Sequence, residues 1–561
     1  MPQIKILPTD LRNKIAAGEV IERPASVLKE LIENAIDAGS SEIKVEILNG
    51  GKRMIKVSDN GCGMDKEDAL LSFEPHATSK IKELDDLFDI RTLGFRGEAL
   101  PSIASVSKVK LITGLKGALS GTSIEIDGGA VKEIRDAPLA GTIFEIRDLF
   151  FNTPARKKFL RTNSTELFHI IETFTREALS HHHIGFGLVT DNRETMNLPK
   201  SSGLRERLMQ VYGNEFLNGL IEITSAGKGM ELSAFVSNSS NFRNTRAHQY
   251  IFLNKRPIKD ASVSHAVYKA YEGILPLQRH PIFFIFLTMD PGMVDFNVHP
   301  TKREVRFEDK EAIYRFINSW LRDRIKEDRT EYARQFTEAS GEVFETPFFQ
   351  QYITPETSSL VHDGCFVSEN PELAYRTSLP FIYLGDTFVA VSGKGGLTII
   401  DHHAAHERIL YEKLLNGIHS ITRQLLFPKQ VRLSGKEYKA LLENREMLKP
   451  FGFEVEDFGN STVIVRTVPD ELDDAGLSDM LSDIAAGFIE PNTSFQSLRD
   501  SIAARIACHG SIRGKKILSQ EELSELLNNL EKTGHPDQCP HGRPTRIFYS
   551  LHDLNRLFKR K

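Results

Sequence analysis

The sequence predicts a multidomain protein of the α+β class, and three observations predict it. Its 561 residues exceed what one hydrophobic core covers. Segments with helical apolar spacing alternate with short β-branched runs along much of the chain. Between Arg334 and Arg376 there is no lysine or arginine, while seven acidic residues fall there with Pro347, Pro355 and Pro371. Such a composition buries little and repels itself, so 335–376 reads as an acidic flexible linker. The linker separates an N-terminal part from a C-terminal α+β part over 377–561. The turn-rich Asn197-Leu-Pro-Lys-Ser-Ser-Gly203 divides the N-terminal part near residue 200, giving expected domains at 1–200 and 201–334.

Composition excludes several classes of function. Apolar residues make up 40% and charged residues 26%, which rules out a mainly disordered or collagen-like chain. Lys and Arg number 71 against 76 Asp and Glu, a net charge of -5, so a nucleic-acid site must be a local patch. The four cysteines, Cys62, Cys365, Cys508 and Cys539, are too few for a disulfide framework and point to a reducing compartment. The first twenty residues lack a signal-peptide core, and the longest apolar run, Ile282 to Leu287, is too short to span a membrane. The expectation is a cytoplasmic chain with no membrane segment.

Residues 24–38 read as the first helix, with Pro24 in its first turn and Ser26 as a possible cap. At helical spacing Val27, Leu28, Leu31, Ile32, Ala35 and Ile36 form an apolar arc. Glu30, Glu33, Asn34 and Asp37 form the opposite arc, and Glu30 and Asn34 lie one turn apart. Alone, that arc would read as a solvated face. The following segment changes the reading. Ile43, Val45 and Ile47 alternate, Asn49-Gly50-Gly51 turns, and Met54 to Val57 returns as a hairpin that ends in Asp59-Asn60-Gly61-Cys62-Gly63. A carboxylate at a strand end followed by glycines admits a flat ligand close to the backbone, although the motif by itself most often marks a turn. Thr92 to Leu100 is a glycine-punctuated segment running into a helix, the arrangement that cradles phosphates with backbone N–H groups. Gly141-Thr142 opens another strand.

In the C-terminal part, the strand Leu397-Thr-Ile-Ile400 leads into Asp401-His402-His403-Ala404-Ala405-His406-Glu407, which begins a helix. His403 and Glu407 are one turn apart, as two metal ligands require. Cys508 stands beside His509, and Cys539-Pro540-His541 places a thiol and an imidazole on one face of an extended segment. Thiolate, imidazole and carboxylate together suit zinc or manganese. A purely structural zinc is the simpler alternative.

The N-terminal elements resemble the ATPase superfamily shared by DNA gyrase, the large heat-shock chaperones, histidine kinases and MutL. The strings Ala16 to Val20, Leu28 to Gly39, Gly94 to Leu100 and Leu149 to Arg156 are most similar to the MutL family of DNA mismatch repair. The resemblance implies an α/β-sandwich ATPase followed by a second domain of ribosomal-protein-like fold. It implies Glu30 as the base that activates water, Asn34 as the Mg²⁺ ligand, and Asp59 as the adenine reader beside Gly61 and Gly63. Thr78, Ser79, Lys80, Gly94, Phe95, Arg96, Gly97 and Thr142 would contact ATP, the first seven from a lid. Lys302, in Gly292 to Arg306, would reach the terminal phosphate from the second domain.

The C-terminal strings resemble the endonuclease site of DNA-cutting members, with His402 where the family usually has Gln. That implies His403, Glu407, Cys539 and His541 as metal ligands, with Asp401 and Cys508 close by. It also implies a subdomain inserted at about 432–496 into a dimerisation and endonuclease domain. Gln424-Leu425-Leu426-Phe427 resembles a peptide that docks on the bacterial sliding clamp. The implied function is a homodimer that couples mismatch recognition by MutS to nicking of double-stranded DNA. Arg156, Lys157, Lys158 and Arg161 are candidate phosphate contacts, although basic clusters are usually solvated faces. A nuclease-free matchmaker is the first rival. A type II topoisomerase subunit is the second, and no cleavage-tyrosine domain is visible for it.

Overall fold

The computed structural model describes residues 21–81, 92–94, 97–138, 141–227, 229–238, 241–243, 245–275, 279–295, 305–339, 381–384, 387–393, 395–416, 422–470, 472, 476–489, 495–511 and 518–558. The linker beyond residue 339, Cys365, Phe95, Arg96 and Lys302 lie outside the described residues. The chain forms two compact units. One comprises Met1–Asp328 with Ile421–Asp470 and Asp474–Leu498; the other comprises Arg329–Ser420, Glu471–Asp473 and Arg499–Lys561. Residues Ile421–Asp470 and Asp474–Leu498, which include nearly all of the expected 432–496 insertion, belong by their contacts to the first unit.

The first unit is built on an eight-stranded sheet. Its strands are β1 (Glu42–Leu48), β2 (Met54–Asp59), β3 (Lys108–Gly114), β4 (Gly121–Asp127), β5 (Ala130–Ala137), β6 (Gly141–Arg147), β7 (Gly185–Thr190) and β8 (Arg193–Leu198). Their order is β5-β4-β3-β6-β2-β1-β7-β8, antiparallel except for the β1–β7 pair. Alternate residues such as Ile43, Val45 and Ile47 are fully buried, so one face of the sheet packs under helices. Those helices include α1 (Pro24–Asp37), α2 (Ala99–Val106) and α3 (Asn163–Ser180). The hairpin expected from Ile43 to Val57 is β1–β2, joined by a 3₁₀ turn at Asn49–Gly51. Ser26 does not cap α1. Arg23 holds the N-cap position without a side-chain bond, and Pro24 occupies the first turn, where its missing N–H costs nothing.

A second sheet of five strands follows within the same unit, formed by Arg256–Ile258, Gln249–Leu253, Phe283–Met289, Met230–Ser237 and Leu220–Gly227 in that order. The helices Ala261–Ala270 and Lys310–Ala339 contribute Val263, Val267, Ile313 and Ile317 to its core. Arg207 is fully buried beside this join, and its guanidinium donates to the carbonyls of Leu198, His182 and Ile184. The inserted segment holds three antiparallel strands, Thr422–Arg432, Thr462–Pro469 and Glu454–Gly459, with helices Gly435–Glu443 and Leu477–Ile489.

The second unit carries a four-stranded antiparallel sheet ordered Phe381–Leu384, Phe388–Gly393, Gly396–Asp401, Arg546–Ser550. Val389, Val391 and Ile400 face Leu523 and Leu527 of the helix Gln520–Glu531. Side chains alternate across a strand, so the opposite face presents Ile382, Leu384, Phe388 and Ile547. These four are exposed to between 45% and 67%, an apolar surface with no cover in this chain's described residues.

Candidate functional sites

The first site grows from the polar arc of α1. That arc is not a solvated face. Glu33 is buried, with Lys29 Nζ at 2.8 Å, and the same ammonium lies 3.4 Å from Glu30 Oε1. Glu177 of α3 is buried against this group, and burial followed by the nearby Glu33 pushes its carboxyl up to about 8. Its proton is held more tightly than a free carboxyl's, which reduces the negative charge that Lys29 must balance.

One turn beyond Glu30, Asn34 Oδ1 accepts from Lys80 Nζ at 2.8 Å. Asp37, a further turn along, binds the same ammonium at 2.5 Å and accepts the backbone N–H groups of Leu93 (2.9 Å) and Gly94 (3.1 Å). The sequence reading placed Asp37 in the polar arc without giving it a task. It is the carboxylate that ties both described ends of the expected lid segment, at Lys80 and at Leu93–Gly94, to α1. Arg256, from the second sheet, donates to the carbonyl of Thr92 at the same place. Thr78 accepts from the Lys80 amide at 3.2 Å, whereas Ser79 is exposed.

Asp59 ends β2, and its Oδ1 accepts from Gly61 N at 2.8 Å and Ser40 Oγ at 3.0 Å. Burial raises its carboxyl above the usual range against the lowering effect of these two donors. Gly63 has φ +70°, and a Cβ there would stand 2.0 Å from the Gly114 carbonyl oxygen, so no larger residue fits this floor. Thr113 bonds Met64 N, the Gly141 carbonyl and the Thr142 hydroxyl, locking the Gly63 turn to β3 and β6. Gly97 also has positive φ, with Ala77 O only 2.5 Å from where its Cβ would be. These elements bring Glu30, Asn34, Asp59, Gly61, Gly63, Lys80, Gly94 and Thr142 onto one end of the sheet, at α1, β2 and β6.

The second site lies in the second unit. Asp401 is the N-cap of the helix His402–Leu415, and its Oδ1 accepts from His403 N and Ala404 N, each at 3.0 Å. Glu407, one turn on from His403, is buried. Its carboxylate, Cys539 Sγ and a ring nitrogen of His541 lie within 4.8 Å of one another. Glu407 Oε2 is 3.6 Å from His541 Nδ1 and accepts no hydrogen bond. The neighbouring Cys539 thiol and Glu407 carboxylate push His541 up to about 9. Burial works to raise Glu407, but His541 overrides it and holds the carboxyl below its usual range. Cys539 and His541 are brought together by a tight turn, not by the extended segment expected: Gly542 N donates to Cys539 O (2.9 Å) and Cys539 N to Arg543 O (2.8 Å).

His403, Asp401 and Cys508 are near this trio but not part of it. The link is Ser511, which sequence reasoning missed. Its carbonyl receives His403 Nδ1 at 3.3 Å, and its hydroxyl donates to Cys508 O at 2.8 Å and approaches Glu407 Oε1 at 3.5 Å. His402 is buried, with its ring tilted by 31° against that of His403 at a centroid distance of 4.5 Å. The donor set fits a borderline-soft cation: one thiol, one imidazole and one carboxylate oxygen lie within 4.8 Å of one another.

Elsewhere, Gln424 to Phe427 lie on the strand Thr422–Arg432, where pairing slips between Gln424 and Lys429. Leu425 turns inward at 9% exposure, while Leu426 and Phe427 stand out at 95% and 87%. Arg156, Lys157 and Lys158 sit on the short helix Pro154–Phe159, which ends in the exposed Phe159, with Arg161 just beyond.

Comparison with known proteins gives matches over most of the chain. Residues 21–145 match the family described as histidine kinase-, DNA gyrase B- and HSP90-like ATPase. Residues 208–326 match the DNA mismatch repair protein, C-terminal domain, and 382–518 match the MutL C terminal dimerisation domain. A DNA mismatch repair protein MutL from Thermodesulfovibrio yellowstonii is 40% identical, with all of both chains covered. One from Geotalea daltonii is 39% identical, again over all of both chains. A solved Aquifex aeolicus MutL ATPase domain complexed with ADP is 29% identical over 53% of this chain and 98% of that one, at a TM-score of 0.38.

Replacing Asp37 by Ala removes the acceptor of two lid amides and of Lys80. Affinity for ATP is expected to fall about tenfold, or about 1.4 kcal/mol, in titration with a fluorescent ATP analogue. Unchanged affinity would show that the lid is held from elsewhere.

Proposed function

The chain belongs to the MutL family of DNA mismatch repair proteins, and from that premise we propose that its ATPase domain gates a metal-dependent nicking endonuclease in its dimerisation domain. The observation that carries the nuclease is the convergence of Glu407, Cys539 and His541.

In the ATPase domain the proposed base is Glu30, held beside Lys29 and next to the lid attachment at Asn34 and Asp37. It takes the proton from the attacking water. Both hydrogen bonds to Asp59 fall on Oδ1, and Oδ2 is the atom we assign to the exocyclic amine of adenine. Asn34 would hold Mg²⁺, which offsets charge on the phosphates. Its Oδ1 meets the Lys80 ammonium, a monovalent stand-in, so the position already suits a cation. Gly94, Gly97 and Thr78 supply lid contacts to the phosphates, and the resemblance extends these to Phe95, Arg96 and Lys302, outside the described residues.

In the dimerisation domain Glu407, Cys539 and His541 would hold Zn²⁺ or Mn²⁺, with His403, Asp401 and Cys508 supporting a second ion. Such ions supply hydroxide and steady the leaving oxygen in phosphodiester hydrolysis. The chain's own contribution is to bury one edge of the site and fix ligand direction through Ser511 and the Asp401 cap. The uncovered face of Ile382, Leu384, Phe388 and Ile547 supports pairing of this domain with a second copy. Arg156, Lys157, Lys158 and Arg161 are assigned to DNA phosphates, and the strand at Gln424, Leu425, Leu426 and Phe427 to the sliding clamp. MutS is the proposed source of the mismatch signal. Among the described residues no helix is long and apolar enough to cross a membrane.

Three measurements test this reading. Glu30→Ala should keep ATP binding and lose hydrolysis by about a hundredfold or more; undiminished turnover would reject Glu30 as the base. Glu407→Lys should abolish Mn²⁺-dependent nicking of supercoiled plasmid while sparing ATP turnover. Persistent nicking, or a wild-type protein that never nicks, would return the chain to a matchmaker with a structural metal. Alanine at both Gln424 and Leu426 should remove stimulation of nicking by the clamp, and full stimulation would make the strand a piece of core.

A further inference from the structure

The inserted segment, residues 421–498, packs on the ATPase fold through a buried and charge-matched surface. At its centre Glu437 Oε1 lies 3.2 Å from His248 Nε2, both side chains being about 95% buried. The carboxylate is aimed from within its own segment. Ser482 Oγ donates to Oε1 at 2.6 Å, and Ser434 donates to Oε2 from N at 3.0 Å and Oγ at 2.6 Å. These donors and His248 hold the Glu437 carboxyl down at about 2 although burial opposes them. An acceptor fixed in this way needs no reorganisation to meet its partner, which lowers the entropy cost of docking.

Around this centre the contacts continue over a broad surface. Ser461 Oγ donates to the Thr195 carbonyl at 2.7 Å, both residues buried, so the segment covers edge strand β8. Arg243 bonds Asp479 at 2.7 Å, and Lys436 pairs with Glu172 of α3. At Gly435 a Cβ would stand 2.8 Å from Met196 Sδ and 3.0 Å from Ile171 Cγ2, so the helix start and the ATPase fold approach as closely as a glycine permits. Cation faces anion at Arg243–Asp479 and Lys436–Glu172, and the close approach at Gly435 is steric as well as electrostatic.

We propose that this segment, through its described residues 422–470 and 476–489, is a latch that docks in cis on α3 and β8 of the ATPase fold and on His248 beside the second sheet, and that this docked form is populated in solution. Helix α3 meets the latch through Ile171 and Glu172 and the Lys29 cluster through Glu177. It is therefore the element through which docking reaches the ATPase site.

A zero-length carbodiimide cross-link tests the latch on the full-length protein. Lys436 and Glu172 should join, read by mass spectrometry. Lys56 and Glu46, which pair at 3.1 Å within the first sheet, give the internal control. Dimers mixed from isotopically heavy and light chains should show the link within one chain. Gly435→Leu should reduce its yield at least tenfold. Asp479→Arg, an exposed change that sets two cations together, should reduce it severalfold if Gly435→Leu does not fold. ATP turnover should shift in whichever variant undocks. Three results would each overturn the proposal: no link when the control forms, a link that joins heavy to light chains, or an undiminished link in both variants.

Discussion

The Lys29–Glu33 pair is the interaction on which the ATPase half depends. Helix α1 must be covered on two sides: its apolar arc lies on the sheet, and α3 closes over part of its polar arc. Covering Glu33 and Glu177 together would set two carboxylates in low dielectric. The ammonium of Lys29 resolves this by pairing with Glu33, while Glu177 keeps its proton. Breaking such a buried pair costs about 3–5 kcal/mol, comparable to a large share of a domain's stability. Helix α1 is thereby tied to α3 as well as to the sheet, and its polar arc is held in place. Glu30, Asn34 and Asp37, at three- and four-residue steps along the same arc, inherit that placement.

A comparable rule governs the second unit. A thiol, an imidazole and a carboxylate are packed where solvent is scarce, and each changes the others' proton affinity. The imidazole of His541 lies between the Cys539 thiol and the Glu407 carboxylate, and both favour its protonated form. Glu407 Oε2 remains without a hydrogen bond even so. A buried acceptor of this kind costs about 1–3 kcal/mol unless something binds it. Under the proposed reading, a metal bound there would take up that acceptor.

Much of this was legible in the residue order, and the parts that were not share a cause. Helix α1, the β1–β2 hairpin and the Asp59 turn follow from periodicity and glycine placement, which are local. The helix after Asp401 follows from a strand running into a capping carboxylate. Glu407, Cys539 and His541 could be grouped only because the resemblance joined strings some 130 residues apart, and the turn at Pro540 that presents them was misread as extended. Asp37 and Ser511 escaped notice because their partners, Leu93 and His403, are far off in sequence and each bond has a backbone atom at one end, the Leu93 amide and the Ser511 carbonyl, which leaves no residue-type signature. The burial of Glu33 was hidden for a related reason. A helical wheel records which residues share a face, but not whether a second element will cover it.

Asn34 and Asp37 show how the lid and a metal can be linked without any further device. In this structure both oxygens meet the Lys80 ammonium, and Asp37 also holds two lid amides. A divalent ion on Asn34 and the ammonium of Lys80 compete for the same lone pairs, so one must retreat as the other arrives. Retreat of Lys80 takes away one of the lid's ties to α1 while the Leu93 and Gly94 amides remain on Asp37. Thermodynamic reciprocity then requires that whatever holds Lys80 elsewhere, such as a phosphate, strengthens metal binding by the same factor. With Asn34 as the proposed Mg²⁺ ligand, cooperative capture of nucleotide and metal would follow from two residues one turn apart and one lysine, and the segment tied by Lys80 would rearrange as its anchoring cation moved.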